Sequence, residues 1–242
     1  MNILFPIAGH GTRFKSKGFD EPKPFVKVKD KYIIEYALSS LRLDGKYYII
    51  TRLLENKYVD ILNELCKKYN IDFKIIDVGR DTSGQAETCY LILNKLNLSD
   101  ELIITNCDQY TPWNPTDFTN FIKDNNLDGV VSTYNHYDIE LNKPGRYSYI
   151  KLNENGIATE LREKFAISMN ALNGIFYWKS GHLFEHSAKL LLSEKLSTEC
   201  YVSLTYNYLI REGYKISNYH MFDTQFVSLG SPEEIEMNFN LL

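Results

Sequence analysis

The chain opens on an apolar run, Ile3-Leu4-Phe5-Pro6-Ile7, that breaks at once into Ala8-Gly9-His10-Gly11-Thr12-Arg13-Phe14. Glu21-Pro22-Lys23-Pro24 follows at short distance. A strand that ends in glycines and then presents an arginine and a lysine can hold a polyphosphate. Glycine lets backbone N–H groups approach an anion closely, and two fixed cations neutralise it. The loop is not the dinucleotide fingerprint G-x-G-x-x-G. Its third glycine is missing, and the next apolar strand ends in Thr51-Arg52 where an acid would be expected. It is not a Walker A loop either, because G-x-x-x-x-G-K-[ST] is absent.

Downstream, apolar runs alternate with segments of helical spacing. Strands are expected at Ile3–Ile7, Tyr47–Thr51, Phe73–Val78, Leu102–Thr105 and Val130–Thr133, and helices at Ile33–Leu43, Lys57–Tyr69, Glu87–Leu96 and Phe118–Lys123. This β-α-β-α order implies an α/β fold, with a sheet covered on both faces by helices. After Lys143 the pattern changes. Tyr147–Leu152 and Ile157–Leu161, joined by Asn153-Glu154-Asn155-Gly156, read as a hairpin. A strand at Ile175–Trp178, helices at Phe184–Leu192 and Val202–Ile210, and extended pieces at Lys215–His220 and Gln225–Leu229 follow. Ser231-Pro232-Glu233-Glu234 opens a last helix, with Ser as N-cap, Pro at the first position and acids in the first turn. No internal repeat or low-complexity linker interrupts the chain.

Composition narrows the partners. A net charge of −4 gives no global pull toward nucleic acid or an anionic membrane, so any anion site must be local. No apolar run reaches membrane-spanning length, and the first residues carry no secretory leader pattern. Cys66, Cys89, Cys107 and Cys200 are scattered without a C-x-x-C pair, so reduced thiols and a cytoplasmic setting are expected. The 18 tyrosines and 13 phenylalanines can fill a core or line a pocket; Tyr110, Trp113, Tyr147 and Tyr149 are open to either reading.

Gly9, Gly11, Thr12, Arg13, Phe14, Pro22, Lys23 and Pro24 resemble, in order and spacing, the G-x-G-[ST]-R-[LFM] and P-K-P signature of the nucleotidylyltransferase superfamily. The likeness is to its sugar-phosphate nucleotidylyltransferases and small cytidylyltransferases, and it runs from Asn2 to the last helix. It implies a Rossmann-like, mixed but mainly parallel sheet with helices on both faces and a smaller β-rich part for the acceptor. A single domain over residues 1–242 is expected, with an NTP-binding half to about residue 135 and an acceptor half beyond it. In such a site Ala8, Gly9, His10, Gly11 and Thr12 wrap the triphosphate, Arg13 neutralises the departing pyrophosphate and Lys23 bridges the phosphates at the reacting centre. No catalytic role is expected of His10.

Further motifs follow the same resemblance. Leu102–Thr105 leads through Asn106-Cys107 to Asp108, an acid at the strand's C-terminal edge, which matches the family's Mg²⁺ ligand. Thr82-Ser83-Gly84-Gln85 resembles the segment facing the base, with Gln85 on the base edge and Gly84 giving it room. The rival reading is a helix start capped by Ser83 or Thr82. Tyr147, Glu163, Lys164 and Gly174 match acceptor-binding positions: Glu163 for hydroxyls, Lys164 for the phosphate and Gly174 for close approach, with Ile175 and Tyr177 read as core. Ser148 and Phe165 depart from the Gly and Pro common at their positions. Ser228 stands where relatives place a second metal acid. Either Asp223 takes that role, or one carboxylate serves with water and phosphates.

The implied reaction is nucleotidyl transfer from an NTP, CTP among the candidates, to a phosphorylated small molecule, with Mg²⁺ as cofactor and a homo-oligomer as one form. A sugar 1-phosphate acceptor and a product destined for cell-surface polysaccharide are the commonest case. A cytidylyltransferase for phosphocholine or a phospho-amino-acid, and a non-catalytic nucleotide-binding regulator, are the alternatives. Glycosyl transfer is disfavoured, since Asn106-Cys107-Asp108 is not D-x-D.

Overall fold

A computed structural model describes residues 1–194, 199–222 and 225–242. The first strand, β1 (Asn2–Pro6), alternates its side chains between two faces of the sheet. Ile3 and Phe5 join one buried cluster, and Leu4 joins another. Three strands flank or extend it in parallel: β4 (Lys46–Thr51) and β6 (Leu102–Thr105) on either side, then β5 (Phe73–Asp77) beyond β4. Strands β1, β4 and β6 are buried on both faces, which is why their sequences read as near-continuous apolar runs, whereas β5 is the edge strand and exposes Lys74 and Asp77.

Helices supply the two layers. On one side lie α2 (Ile33–Leu41), α3 (Asn56–Lys68) and α5 (Pro115–Asn125), which bury Leu38, Leu62 and Phe118. On the other lie α4 (Gln85–Tyr90), α6 (Gly181–Ser193) and α7 (Val202–Arg211), with Cys89, Phe184 and Tyr206 inward. A short helix, α1 (Thr12–Lys15), follows the glycine loop.

The second half of the chain joins the same sheet. The long strand β11 (Asn170–Trp178) runs antiparallel to β6 over Ile175–Trp178 and meets β9 (Pro144–Leu152) at Ala171. Its other edge carries β8 (Gly129–Asn135), with β12 (Ile216–His220) parallel beyond it. The hairpin partner of β9 is β10 (Ala158–Phe165). The nine-stranded sheet is therefore mixed but mainly parallel. Two short ladders stand apart: β2 (Lys27–Val28) with β3 (Lys31–Tyr32), and β7 (Gln109–Tyr110) with β13 (Val227–Ser228).

Some boundaries differ from the sequence reading. The helix expected to Leu96 ends at Tyr90; Leu91 and Ile92 form a turn, and a 3₁₀ turn follows at Leu93–Lys95. The expected extended piece Gln225–Leu229 narrows to Val227–Ser228. The last helix, α8 (Pro232–Asn238), starts as expected, with the Ser231 side chain accepting from the Glu234 N–H. Tyr149 and Trp113 prove to be core, as do Ile175 and Tyr177. No helix among the described residues is long and apolar enough to cross a membrane.

Between the part of β11 that meets β9 and the part that pairs with β6 lies Gly174, at φ +94°. A Cβ there would overlap the Asn106 carboxamide and come within 2.9 Å of Gln109 Oε1. Gly174→Ala should therefore destabilise the protein by about 2 kcal/mol or more, from left-handed strain and overpacking together. Denaturant unfolding reads this directly; an unchanged midpoint would mean that β11 relaxes there without cost.

Candidate active site

The sheet reverses its winding between β1 and β6: the chain runs outward from β1 through β4 and β5, then returns to place β6 on β1's other side. Ligands of open α/β sheets bind at such a switch point, beyond the C-terminal strand ends. The loops that leave β1 and β6 there are the glycine loop and Asn106-Cys107-Asp108. They meet in an ion pair between Lys23 Nζ and Asp108 Oδ2.

Local sequence explains how Lys23 arrives. Pro22 and Pro24 bracket it in a short 3₁₀ turn, and Phe25 anchors that turn by stacking on Tyr58 with ring centroids 4.5 Å apart. Gly11, at φ +62°, faces it, and a Cβ on Gly11 would sit 3.2 Å from Lys23 Cβ. Phe14, buried beside Val26 and Leu229, pins the loop from below. Gly9 differs: no atom lies within 4 Å of where its Cβ would be, and it borders the cleft. Asp108 is held by its backbone, its carbonyl accepting from Leu229 N–H at 2.8 Å next to the β7–β13 ladder.

The electrostatics follow from partial burial. Burial by itself lowers the Lys23 ammonium pKa, but the charge of Asp108 and its hydrogen bond outweigh it and leave the pKa raised. Burial, with the Asp108 charge beside it, pushes the Cys107 thiol up to about 12, so this cysteine stays neutral.

One cleft of about 610 Å³ takes in all the described residues singled out from the sequence: Ala8, Gly9, His10, Gly11, Thr12, Arg13, Lys23, Gly84, Gln85, Asp108, Tyr147, Glu163, Lys164 and Gly174. Asp223, expected as a second metal acid, lies outside the described residues. Several roles sharpen. Gly84, not Ser83 or Thr82, is the N-cap of α4, and it makes no side-chain cap. Its missing Cβ makes room for the backbone of Cys200, whose oxygen would be 2.6 Å away. The space at Gly174 is taken by Asn106, so close approach there serves that side chain first. Gln85 Nε2 donates to Asn106 Oδ1 at 2.9 Å, which fixes the amide and leaves its oxygen available. His10 stands half-exposed at the mouth, 3.3 Å from Arg52 and 3.4 Å from Asp81, which themselves form an ion pair.

On the far wall Glu163 Oε2 accepts from Ser148 Oγ and, at 3.1 Å, from Ser203 Oγ. Lys164, at φ +53°, sends its Nζ to Tyr201 Oη at 2.5 Å. Tyr147 Oη donates to Glu234 Oε1 at 3.2 Å. Ser203, Tyr201 and Glu234 were not singled out by sequence. The first two come from the start of α7, remote in sequence from the hairpin, and Glu234 reads locally as a first-turn helix acid.

A switch-point cleft with a glycine loop, two cations and one strand-edge carboxylate has the chemistry to suit a phosphate-bearing ligand. The nucleotidyl transferase family model matches residues 6–235, and the chain belongs to that family. A D-glycero-alpha-D-manno-heptose 1-phosphate guanylyltransferase of Campylobacter jejuni is 22% identical over 244 residues, covering 97% of this chain and 96% of the relative. A CTP:phosphoglutamine cytidylyltransferase of the same organism is 28% identical over 112 residues, 45% of this chain and 44% of that one. The fold matches a nucleoside-diphosphate-sugar pyrophosphorylase from Vibrio cholerae with a TM-score of 0.82 at 19% identity, over 98% of both chains.

Burial raises the Glu163 carboxyl pKa above its ordinary value of 4.5, although Ser148, Ser203 and Lys164 pull it down. The folded state thus holds this proton more tightly than the unfolded chain. Stability falls as pH climbs from the ordinary value through the raised one. Glu163→Gln removes that loss. Its thermal midpoint should exceed the wild type's near neutral pH, with the gap closing below 4.5. A gap that is constant with pH would contradict the shift.

Proposed function

We propose that this protein transfers a nucleoside monophosphate from an NTP to a phosphorylated small molecule, a sugar 1-phosphate in the first instance, and releases pyrophosphate. The observation that carries this reading is the Lys23–Asp108 pair at the divergence of β1 and β6, beside the open space at Gly9. In the reaction an acceptor phosphate oxygen attacks the α-phosphorus. A new P–O bond forms as the bond to the β-phosphate oxygen breaks, and that oxygen leaves with pyrophosphate.

Two anions must be brought together, so catalysis is positioning and charge neutralisation. Backbone N–H groups around Gly9 and Gly11 hold the triphosphate, and Arg13 takes up charge on the leaving pyrophosphate. Lys23 lets go of Asp108 and turns to the α-phosphoryl oxygens. Gln85 offers its free amide oxygen to the base edge. Lys164 binds the acceptor phosphate, and Glu163 has Oε1 left for an acceptor hydroxyl. The acceptor phosphate is already ionised at neutral pH, so no general base is required, and neutral Cys107 offers no thiolate.

The donor set suits Mg²⁺. Asp108 is a hard oxygen ligand whose Oδ1 accepts no hydrogen bond among the described residues, and one or two carboxylates with phosphates and water suffice for this ion. When bound, the ion adds positive charge at the phosphate oxygens. The heptose-phosphate guanylyltransferase relative supports a sugar 1-phosphate acceptor. Cytoplasmic synthesis of an activated precursor for cell-surface polysaccharide fits that acceptor and the four free cysteines.

One observation favours a second reading. Ser148 and Ser203 already engage Glu163, and Glu199 adds another carboxylate to the same wall. A cationic, non-sugar phosphate used with CTP would suit that surface, in line with the cytidylyltransferase relative.

A matrix of the four NTPs against sugar 1-phosphates, phosphocholine and phosphoglutamine, assayed for pyrophosphate with Mg²⁺, tests both readings. Turnover with a sugar 1-phosphate is expected, and Lys23→Ala should cost roughly 100-fold or more in kcat. Turnover confined to CTP with a non-sugar phosphate would select the second reading. Background release throughout would leave a nucleotide-binding regulator.

A further inference from the structure

Below the cleft, next to Asp108, lies a small cavity of about 130 Å³ lined by Arg13, Asp108, Arg146, Ser228, Gly230 and Glu234 among others. Glu234 is only 5% exposed. It occupies the third position of α8 after its N-cap Ser231, where a Glu commonly turns back to accept from the N-cap backbone N–H. Ser231 makes its half of that arrangement, accepting from Glu234 N–H at 3.3 Å. The Glu234 carboxylate does not make the other half. Its Oε1 faces Tyr147 Oη at 3.2 Å and Arg146 Nε at 3.7 Å, while Oε2 accepts no hydrogen bond among the described residues.

That free oxygen borders the same small space as Asp108. A Cβ built on Gly230 would stand 2.8 Å from Glu234 Oε2, 3.4 Å from Asp108 Oδ2 and 3.4 Å from Ser228 Oγ. Any side chain at Gly230 would thus crowd both carboxylates. Arg146 compensates Glu234 through its other oxygen, and Lys23 compensates Asp108. Once a nucleotide's phosphates take Lys23, the two neighbouring acids lose part of that compensation, which favours entry of a cation. The β7–β13 register sets Ser228 opposite Gln109, adjacent to Asp108, and a hydroxyl there carries no charge for a cation.

We propose that Glu234 supplies the second carboxylate for the divalent cation that accompanies the nucleotide, in the place left by Ser228. Tyr147 and Arg146 hold one oxygen of Glu234, which leaves the other for the cation. The proposal rests on the nucleotidyl-transfer reading above, because nucleotide phosphates complete the cation's coordination.

The test uses the full chain, Mn²⁺ as the probe, and unreactive α,β-methylene analogues of GTP and CTP. One arm measures analogue binding in EDTA by calorimetry. The other measures Mn²⁺ binding to the analogue complex, by the electron paramagnetic resonance signal of free Mn²⁺. Glu234→Gln keeps the shape and the helix cap. It should weaken Mn²⁺ binding by about tenfold or more, with analogue binding in EDTA little changed. Asp108→Asn should weaken Mn²⁺ binding likewise. Adding Ser228→Asp to Glu234→Gln should restore Mn²⁺ affinity, which a merely structural Glu234 would not allow. Wild-type Mn²⁺ affinity in Glu234→Gln, or failure of Ser228→Asp to restore it, overturns the proposal while leaving the nucleotide reading intact. Failure of the wild type to bind either analogue in EDTA or with Mn²⁺ overturns both.

Discussion

The site depends on an ion pair between two loops that have no sequence proximity. Lys23 and Asp108 are each about one-fifth exposed, so each would be costly without an opposite charge. Paired, they tie the loop after β1 to the loop after β6 across the switch point. Much else serves that approach. Gly11 has no side chain because Lys23 passes over it, the prolines stiffen the turn around Lys23, and the Phe25–Tyr58 stack anchors it. Leu229 N–H fixes Asp108 from the opposite side. Under the proposed function, a triphosphate would compete for the lysine and a cation for the carboxylate, each relieving the cost of freeing the other partner.

This half of the site was legible in sequence because its parts are local. β1 and β6 are strands buried on both faces, so each reads as an apolar run, and the candidate residues of the glycine loop and Asp108 follow them closely. The glycine loop advertises itself by residue type, and the proline-flanked lysine by its neighbours. Helix starts such as Asn114-Pro115 and Ser231-Pro232 follow capping chemistry. What stayed hidden has equally physical reasons. The helix after Gly84 ends earlier than the sequence suggests because the apolar run Leu91-Ile92-Leu93 continues past it while the backbone passes into a turn and then a 3₁₀ segment. Two-residue strands such as β7 and β13 are too short to show any period, yet they set Ser228 beside Asp108.

The acceptor wall was less legible because it is assembled at long range. Glu163 is engaged by Ser148 from the neighbouring strand and by Ser203 from α7, 40 residues away in sequence. Lys164 leans on Tyr201 from the same helix start. No local pattern joins these residues. The departures from the family motif also make sense only in three dimensions. Ser148 introduces a hydroxyl that ties down Glu163, and Phe165, in place of proline, carries Arg162 over its ring at 5.3 Å. Both changes alter the wall's polarity and leave the phosphate-facing loops untouched.

As proposed, the two sides of the cleft would solve different physical problems. A triphosphate presents the same charge and geometry whatever its base, so backbone N–H groups and two fixed cations suffice for it. Those features leave few sequences open at Gly11 or Lys23. An acceptor must be told apart by its hydroxyls, charges and shape, and that takes side chains from several elements at adjustable positions. The region around Gly230 lies between these regimes. Asp108 and Glu234 both border it, and Glu234 is oriented by Tyr147 and Arg146 from the far wall of the cleft. If the far wall takes the acceptor as proposed, Glu234 would be the side chain shared by the two sides.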